Sequence, residues 1–146
     1  MHSNSDPTAT AIVDQMMEKD FFSQWLGIER LEERPGYCRL RMSVREEMCN
    51  GFAIAHGGIA YSLADSALAF ASNSKGRHAV SVDTTITHIK PLYAGDVIIA
   101  TAQEVTVSNR MGVYEVRIEI EGQGVVSLFK GTVFRKETSW DIKASI

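Results

Sequence analysis

Cysteine and proline are scarce in this 146-residue chain, which contains two cysteines and three prolines. Cys38 and Cys49 show neither the C-x-x-C spacing of a metal or redox site nor the pattern of a disulfide framework. Both are therefore expected to be reduced thiols, as in a cytoplasmic protein. Nothing beside Cys49 marks it as an activated thiolate, so it is interpreted as a packed or loop residue.

The sequence also lacks an excess of positive charge and any long apolar run. Fifteen Lys and Arg residues against 18 Asp and Glu residues give a net charge of −3, which indicates no basic face for nucleic acid. No apolar stretch reaches membrane-spanning length, and the opening MHSNSDPTAT has no charged-then-apolar signal pattern. We expect a cytoplasmic protein whose partners include neither nucleic acid nor a membrane.

Several catalytic and cofactor motifs are missing as well. There is no G-x-S-x-G elbow, no G-x-x-x-x-G-K phosphate loop and no H-E-x-x-H zinc helix. His78 and His88 lack metal-ligand spacing and are interpreted as ordinary surface or strand residues. Ser62, Asp65 and His56 do not make a triad, because Ser62 and Asp65 are neighbours on one predicted helix. No metal and no cofactor are expected.

The length favours one domain over residues 1–146, with a loose arm at 1–7 and a tail at 137–146. Hydrophobic periodicity and turn residues predict a short helix, a helical turn, two strands, a long helix and four strands. Their ranges are 8–19, 21–26, 28–34, 37–44, 57–75, 80–89, 97–108, 112–121 and 125–135. Because short loops join the late strands, the sheet is expected to be antiparallel and the fold α+β, with one principal helix.

The long helix is apolar around most of its circumference, which predicts that a curved sheet wraps and buries it. Its polar residues recur at three- and four-residue spacing and include Asp65, so they are expected to form one narrow stripe. A carboxylate there has two interpretations. It is a solvent-facing or hydrogen-bonded acid, or it is held at the mouth of a pocket as a general base or nucleophile.

Gly57 and Gly58 open this helix and also have two interpretations. They only mark the end of the preceding loop, or they let a carbonyl oxygen approach the first backbone N–H groups, which have no partner within a helix. A polarised carbonyl and a neighbouring acid would suit acyl transfer. Asp65 lies about two turns beyond Gly57, so the two groups of one site could come from different subunits.

The segment HGGIAYSLADSALAFASNS resembles the hotdog-fold thioesterases of the phenylacetate-degradation type. Asn50, His56-Gly57-Gly58 and Asp65 match the family spacing, and the similarity continues through SVDTTITHIKPLYAGDVIIATAQ, GVYEVRI and VSLFKG. The resemblance implies a long helix wrapped by a curved antiparallel sheet. It further implies homodimers joined sheet edge to sheet edge, paired into a homotetramer, with active sites at the subunit interface. The implied activity is hydrolysis of acyl-CoA thioesters, with aryl-acetyl groups as the acyl part.

The resemblance also implies roles for catalytic residues. Asp65 matches the carboxylate that acts as general base or nucleophile, and Gly57 matches the backbone donor to the thioester carbonyl. Asn50 matches a side chain that positions this carbonyl, and His56 matches a supporting residue. Ser81 matches a hydroxyl that orients water, and the variable loop before it leaves two alternatives, Thr84 and Thr85.

The CoA end of the substrate is expected near the surface. Gly58 is a candidate contact at the helix start. Basic residues that could hold the phosphates of CoA, and that are otherwise solvated charges, are Lys90, Arg110, Lys130 and Arg135.

Two competing functions stay open for the same fold. A hotdog dehydratase or hydratase also uses a His and an acid, but in that family a Pro-bearing segment follows the His, whereas Gly57-Gly58 follow His56 here. A non-catalytic acyl-CoA-binding protein is the second alternative. Asp65 argues against it, because a simple binder has no need of a pocket acid facing the negative charges of CoA.

Overall fold

The computed structural model describes residues 4–142 of the chain. Three helices and six strands make up this part, and a 3₁₀ turn at Glu46–Met48 precedes the third helix. In chain order the elements are α1 (Pro7–Glu18), α2 (Phe21–Leu26), β1 (Glu29–Arg34), β2 (Tyr37–Ser43), α3 (Gly57–Asn73), β3 (Arg77–His88), β4 (Val97–Val107), β5 (Met111–Ile120) and β6 (Gly124–Ser139).

The six strands form one curved antiparallel sheet in the order β1-β2-β4-β5-β6-β3, and α3 packs against every strand. Short loops join β4 to β5 and β5 to β6, which explains their antiparallel pairing. The predicted α+β architecture, a curved sheet around one principal helix, is confirmed.

The core lies between α3 and the concave face of the sheet. Eleven of the 17 residues of α3 are buried, as its nearly continuous apolar surface predicts. On β5 the predicted inward face is confirmed, since Tyr114, Val116 and Ile118 are buried and Glu115 and Arg117 are exposed. This alternation follows from the two-residue period of a strand.

The predicted loose arm at 1–7 is wrong for its described part. The Asp6 N–H donates to the Glu33 carbonyl at 2.8 Å, and the Glu33 N–H donates to Ser5 Oγ at 3.1 Å. Pro7 already belongs to α1, because Asp6 caps the helix and proline suits its first turn. Residues 1–3 lie outside the described residues.

The predicted tail at 137–146 is also wrong in its first residues. β6 continues to Ser139 and pairs with Arg77, so β3 begins three residues earlier than predicted. The Arg77 guanidinium donates to the Lys136 carbonyl at 2.7 Å, and the Trp140 N–H donates to the Gly76 carbonyl at 2.8 Å. These long-range bonds hold the chain as far as Trp140, and residues 143–146 lie outside the described residues.

Gly131 is where β6 comes closest to α3. A Cβ at this position would lie 2.5 Å from Leu68 Cδ2, and Leu68 is itself buried in the core. We expect Gly131→Ala to lower the free energy of unfolding by about 1–3 kcal/mol, the usual effect of overpacking. Urea denaturation measures the change.

Gly58→Ala is the matched control for stability, because its added Cβ meets nothing within 4 Å and the position is helical. It is expected to leave stability unchanged or to raise it by roughly 0.5–1 kcal/mol. Equal stability of Gly131→Ala and the wild type would contradict the close approach of β6 to α3.

Candidate active site

Within residues 4–142, the start of α3 lacks the side-chain capping bond that α1 and α2 have. Asp6 and Asp20 cap α1 and α2 by accepting hydrogen bonds from backbone N–H groups at 2.9 and 3.0 Å. His56 occupies the same position before α3, but within the described residues its side chain makes no capping bond. Among the described residues, the N–H groups at the start of α3 therefore lack the side-chain acceptor that the other two helices have.

A cavity of about 300 Å³ opens beside this helix start and is called here the helix-start cavity. Its lining brings together three of the predicted site residues, His56, Gly57 and Lys90. Gly58 and His56 are exposed. A carbonyl oxygen entering this cavity can reach the N–H end of α3, where the helix dipole favours negative charge.

His88 lies in the helix-start cavity and was not among the predicted site residues. Its Nε2 is 3.0 Å from the position that a Cβ on Gly57 would occupy, and its Nδ1 is 3.4 Å from the hydroxyl of buried Ser127. The imidazole therefore forms one wall over the helix start. A Cβ at position 57 would require the imidazole to shift by a few tenths of an ångström.

Asp65 lies in a second cavity of about 420 Å³, called here the Asp65 cavity. Ser81, at the exposed edge of β3, lines the same cavity, as do His78 and Trp140. Asp65 itself is half-buried. The structure thus brings the predicted acid and the predicted water-orienting hydroxyl to one cavity and leaves Gly57 in the other.

The carboxyl group of Asp65 has a raised pKa. Its partial burial is the main cause, because burial disfavours the charged form, and the negative charge of Asp20 is the second. An acid with a raised pKa is a better proton acceptor once it is ionised, and such groups are found preferentially at functional sites.

The two alternative hydroxyls are placed differently from Ser81. Thr84 Oγ1 lies 2.5 Å from the hydroxyl of Tyr61, whose ring packs edge-on against Phe129. Thr85 lines a separate cavity of about 270 Å³ together with Lys130. Of the three candidates, Ser81 shares the cavity of Asp65.

Asn50 lies in neither cavity. Its Oδ1 accepts hydrogen bonds from the N–H groups of Phe52 at 2.9 Å and Ile54 at 3.3 Å, which makes it a turn-forming residue. The connection that carries it also contains a bridge between Cys49 and Ala55. Within one chain, Asn50 is therefore not brought together with Gly57 or Asp65.

The predicted basic contacts do not form one cluster. Lys90 lines the helix-start cavity, and Lys130 lies on a different cavity with Thr85. Arg110 is exposed and lies 4.0 Å from Glu137, while Arg135 donates to the Ser108 carbonyl at 2.7 Å. Lys90 lies beside the cavity that also holds His56 and Gly57.

Sequence reasoning missed the far wall of the Asp65 cavity, which Trp140 and His78 form. Their rings lie with centroids 4.6 Å apart at an interplanar angle of 56°, and Trp140 Nε1 donates to Asn73 Oδ1 at 2.9 Å. Asn73 is buried and also binds both backbone groups of Ala79. The buried asparagine at the end of α3 was the available signal, because such a side chain needs several partners.

The polar stripe of α3 is also more buried than predicted. Ser66 and Ser72 are buried, with hydroxyls that bond to Ser23 and to the Ala69 carbonyl. The stripe packs partly against α2 and partly against the chain leading into β3. Asp65, Ser72 and Asn73 line the Asp65 cavity, and Asp65 is the ionisable residue among them.

Comparison with known proteins gives consistent matches. The family model described as Thioesterase superfamily matches residues 52–127. Acyl-coenzyme A thioesterase PaaI from Escherichia coli is 39% identical over 120 residues, covering 82% of this chain and 86% of that protein.

Solved structures similar to this chain belong to the same group of proteins as the sequence matches. The E. coli PaaI protein from the phenylacetic acid degradation operon has a TM-score of 0.88 at 36% identity, covering 90% of this chain and 96% of that one. A mutant structure of phenylacetic acid degradation protein PaaI from Thermus thermophilus has a TM-score of 0.77 at 41% identity, covering 80% and 100%.

The architecture and these matches define a thioester hydrolase with the hotdog fold. The chain belongs to the thioesterase superfamily. Across residues 4–142, no helix is long and apolar enough to cross a bilayer. The same residues contain no group of three or more His, Cys, Asp or Glu side chains placed to hold a metal ion.

The raised pKa of Asp65 predicts a stability effect. The folded protein binds a proton at this carboxyl more tightly than the unfolded chain does, so the free energy of unfolding falls as pH rises between the unfolded and folded pKa values. Asp65→Asn removes this loss. We expect a higher Tm than wild type at pH 7, with roughly 2–4 °C for each 1 kcal/mol gained.

The difference should shrink as pH falls below the ordinary range of an Asp carboxyl, where both states of the wild type are protonated. Glu18→Gln, at an exposed acid of α1, is the control and should show no such pH-dependent gain. A lower Tm for Asp65→Asn at pH 7 would contradict this assignment.

Proposed function

We propose that the protein hydrolyses acyl-CoA thioesters of the aryl-acetyl class, phenylacetyl-CoA or hydroxylated derivatives, to the free acid and CoA. The observation that carries this proposal is Asp65, a half-buried acid of raised pKa in a cavity walled by the ring of Trp140. An aromatic wall suits a planar acyl group, because aromatic rings gain from stacking beyond their buried area. The function of the PaaI relative from E. coli supports the acyl-CoA class.

In the proposed reaction, Asp65 accepts a proton from a water molecule that Ser81 orients. The water oxygen attacks the thioester carbon, and the carbonyl electrons move to oxygen, where the Gly57 N–H stabilises the resulting oxyanion. Collapse of this intermediate breaks the carbon–sulfur bond. The departing thiolate takes the proton from Asp65, so water and thioester give acid and free CoA. Direct attack by Asp65 is the alternative, and it requires the same carboxylate.

We propose that each site is shared between two chains. β3 is at the edge of the sheet and pairs only with β6 among the described strands. It exposes Val80, Val82 and the adjoining Ile89 by 45%, 57% and 51%. A long edge with exposed apolar side chains favours pairing with another strand, and a two-fold dimer pairs identical edges.

This pairing would unite the two cavities. The Ser81 end of β3 lines the Asp65 cavity, and the His88 end lines the helix-start cavity. Antiparallel self-pairing sets opposite ends of two copies of β3 side by side. Asp65 of one subunit would then face Gly57 of the other. Two such dimers would make the proposed homotetramer.

Asp65→Asn tests the chemistry, because it keeps the shape of the side chain and removes the base. We expect kcat for phenylacetyl-CoA to fall by roughly 10²- to 10⁴-fold, the usual effect of losing one general base. Thiol release is measured over a panel of aryl-acetyl, straight-chain and branched acyl-CoA esters. Aryl-acetyl esters should have the highest kcat/KM.

Glu18→Gln is again the control and should retain wild-type rates. Full activity of Asp65→Asn would overturn the mechanism, and a preference for straight-chain esters would overturn the aryl-acetyl assignment. A binding protein would leave the esters intact in both forms. A hydratase would instead change the absorbance of an enoyl-CoA without releasing thiol.

Gly57→Pro and Asp65→Asn together test whether the site is shared. Proline removes the N–H donor yet suits the first position of a helix, and His56 already has the extended backbone that precedes proline, with φ −54° and ψ 139°. Each variant alone should be nearly inactive. When the two variants are unfolded together and refolded, random pairing makes half of the dimers mixed. Each mixed dimer would have one intact site of two, so the mixture should regain about a quarter of wild-type activity.

Gly57→Ala is the matched variant, because it adds a Cβ against His88 but keeps the N–H. It should be more active than Gly57→Pro, and the ratio of the two rates isolates the donor. If mixing restored no activity, both halves of the site would have to lie in one chain.

A further inference from the structure

We propose that Asp20, which lines neither cavity, is a positioning residue for Asp65, acting through Ser23 and Ser66 and through its own charge. The inference rests on the proposed function of Asp65 and deepens it.

A chain of hydrogen bonds joins Asp20 to α3. Asp20 Oδ1 accepts from the Ser23 N–H at 3.0 Å, and Oδ2 accepts from the Ser23 hydroxyl at 2.7 Å. Ser23 Oγ lies 2.8 Å from Ser66 Oγ. Each serine has one hydroxyl proton. Since Ser23 gives its proton to the carboxylate, Ser66 must donate to Ser23, and the chain has one direction.

The chain is buried where it reaches α3, because Ser23 and Ser66 are 1% and 9% exposed. Ser66 directly follows Asp65. The link therefore fixes the turn of α3 that carries the acid, and it ties that turn to α2. Breaking this link would leave a buried hydroxyl unpaired, which is unfavourable, so the link holds the two helices in one arrangement.

The charge of Asp20 acts on Asp65 as well. It is the second cause, after burial, of the raised pKa of Asp65. The other titratable side chains that line the Asp65 cavity are His78 from β3 and Lys136 from β6, while α1 contributes the uncharged Met16. Asp20 is thus the acid that opposes ionisation of Asp65 and keeps it a stronger base.

Helix capping alone does not require this charge. Asparagine caps a helix about as well as aspartate, since its side-chain oxygen can accept the capping bond from the Ser23 N–H. In Asp20→Asn the amide oxygen can keep the cap, and the amide NH2 can donate to Ser23 Oγ where Oδ2 accepted from it, so the contact with Ser23 remains with its hydrogen-bond direction reversed and the charge is removed. The change separates the electrostatic role of Asp20 from its structural one.

Two measurements on Asp20→Asn test the proposal in the full-length protein. The first is the pKa of the Asp65 carboxyl, followed by ¹³C NMR, which is expected to fall relative to wild type. The second is the pH profile of kcat/KM for phenylacetyl-CoA, whose acid limb should move to lower pH, with a lower rate on the plateau. Asp6→Asn, the same change at the cap of α1, is the control and should move neither.

An unshifted pKa of Asp65 in Asp20→Asn would overturn the proposal, whatever the plateau rate. Because NMR titration needs no turnover, this failure is distinct from failure of the proposed function, which Asp65→Asn tests. Ser66→Ala tests the hydrogen-bond link between α2 and α3, because it removes the Ser66 hydroxyl. It should lower kcat with little change in KM, and an unchanged kcat would overturn the positioning role.

Discussion

The burial of α3 is the constraint on which the rest of the structure depends. A helix that is apolar on nearly every side can be stable in water only if other elements enclose it. The six-stranded sheet does so by curving around it, and α1 and α2 cover part of what remains. The helix therefore meets solvent at few places. Gly57 at its N-terminus and Asp65 are two of them, and each borders a cavity.

Enclosing the helix also creates the conditions for chemistry. Partial burial raises the pKa of Asp65, and within the described part of the chain the side chain of His56 makes no capping bond at the start of α3, where the proposed oxygen site lies. Both features oppose stability, since a buried charge is unfavourable and an uncapped helix start forgoes about 1 kcal/mol. The large apolar core offsets these local losses of stability, as the cores of other proteins do at their functional sites.

The fold could be predicted from the sequence largely because its signals are local. The apolar surface of α3, the alternation on β5 and the turn residues between strands each lie within one short segment. The same holds for Gly57 and Asp65, whose positions follow from the helix alone. The positions of Trp140 and Ser23 could not be predicted, because their partners are 67 residues away at Asn73 and 43 residues away at Ser66. Asn50 shows the converse, since its local turn was predictable and its place relative to the acid was not.

The position of Trp140 has an optical consequence. The chain has two tryptophans, and Trp25 lies at the surface on α2, 45% exposed and beneath the guanidinium of Arg45. Trp140 instead borders the cavity of the acid, with its ring tilted against the imidazole of His78. Trp25→Phe would leave a single emitting indole in the wall of that cavity. In that variant, the emission of Trp140 is expected to change when a molecule enters the Asp65 cavity, without any added label.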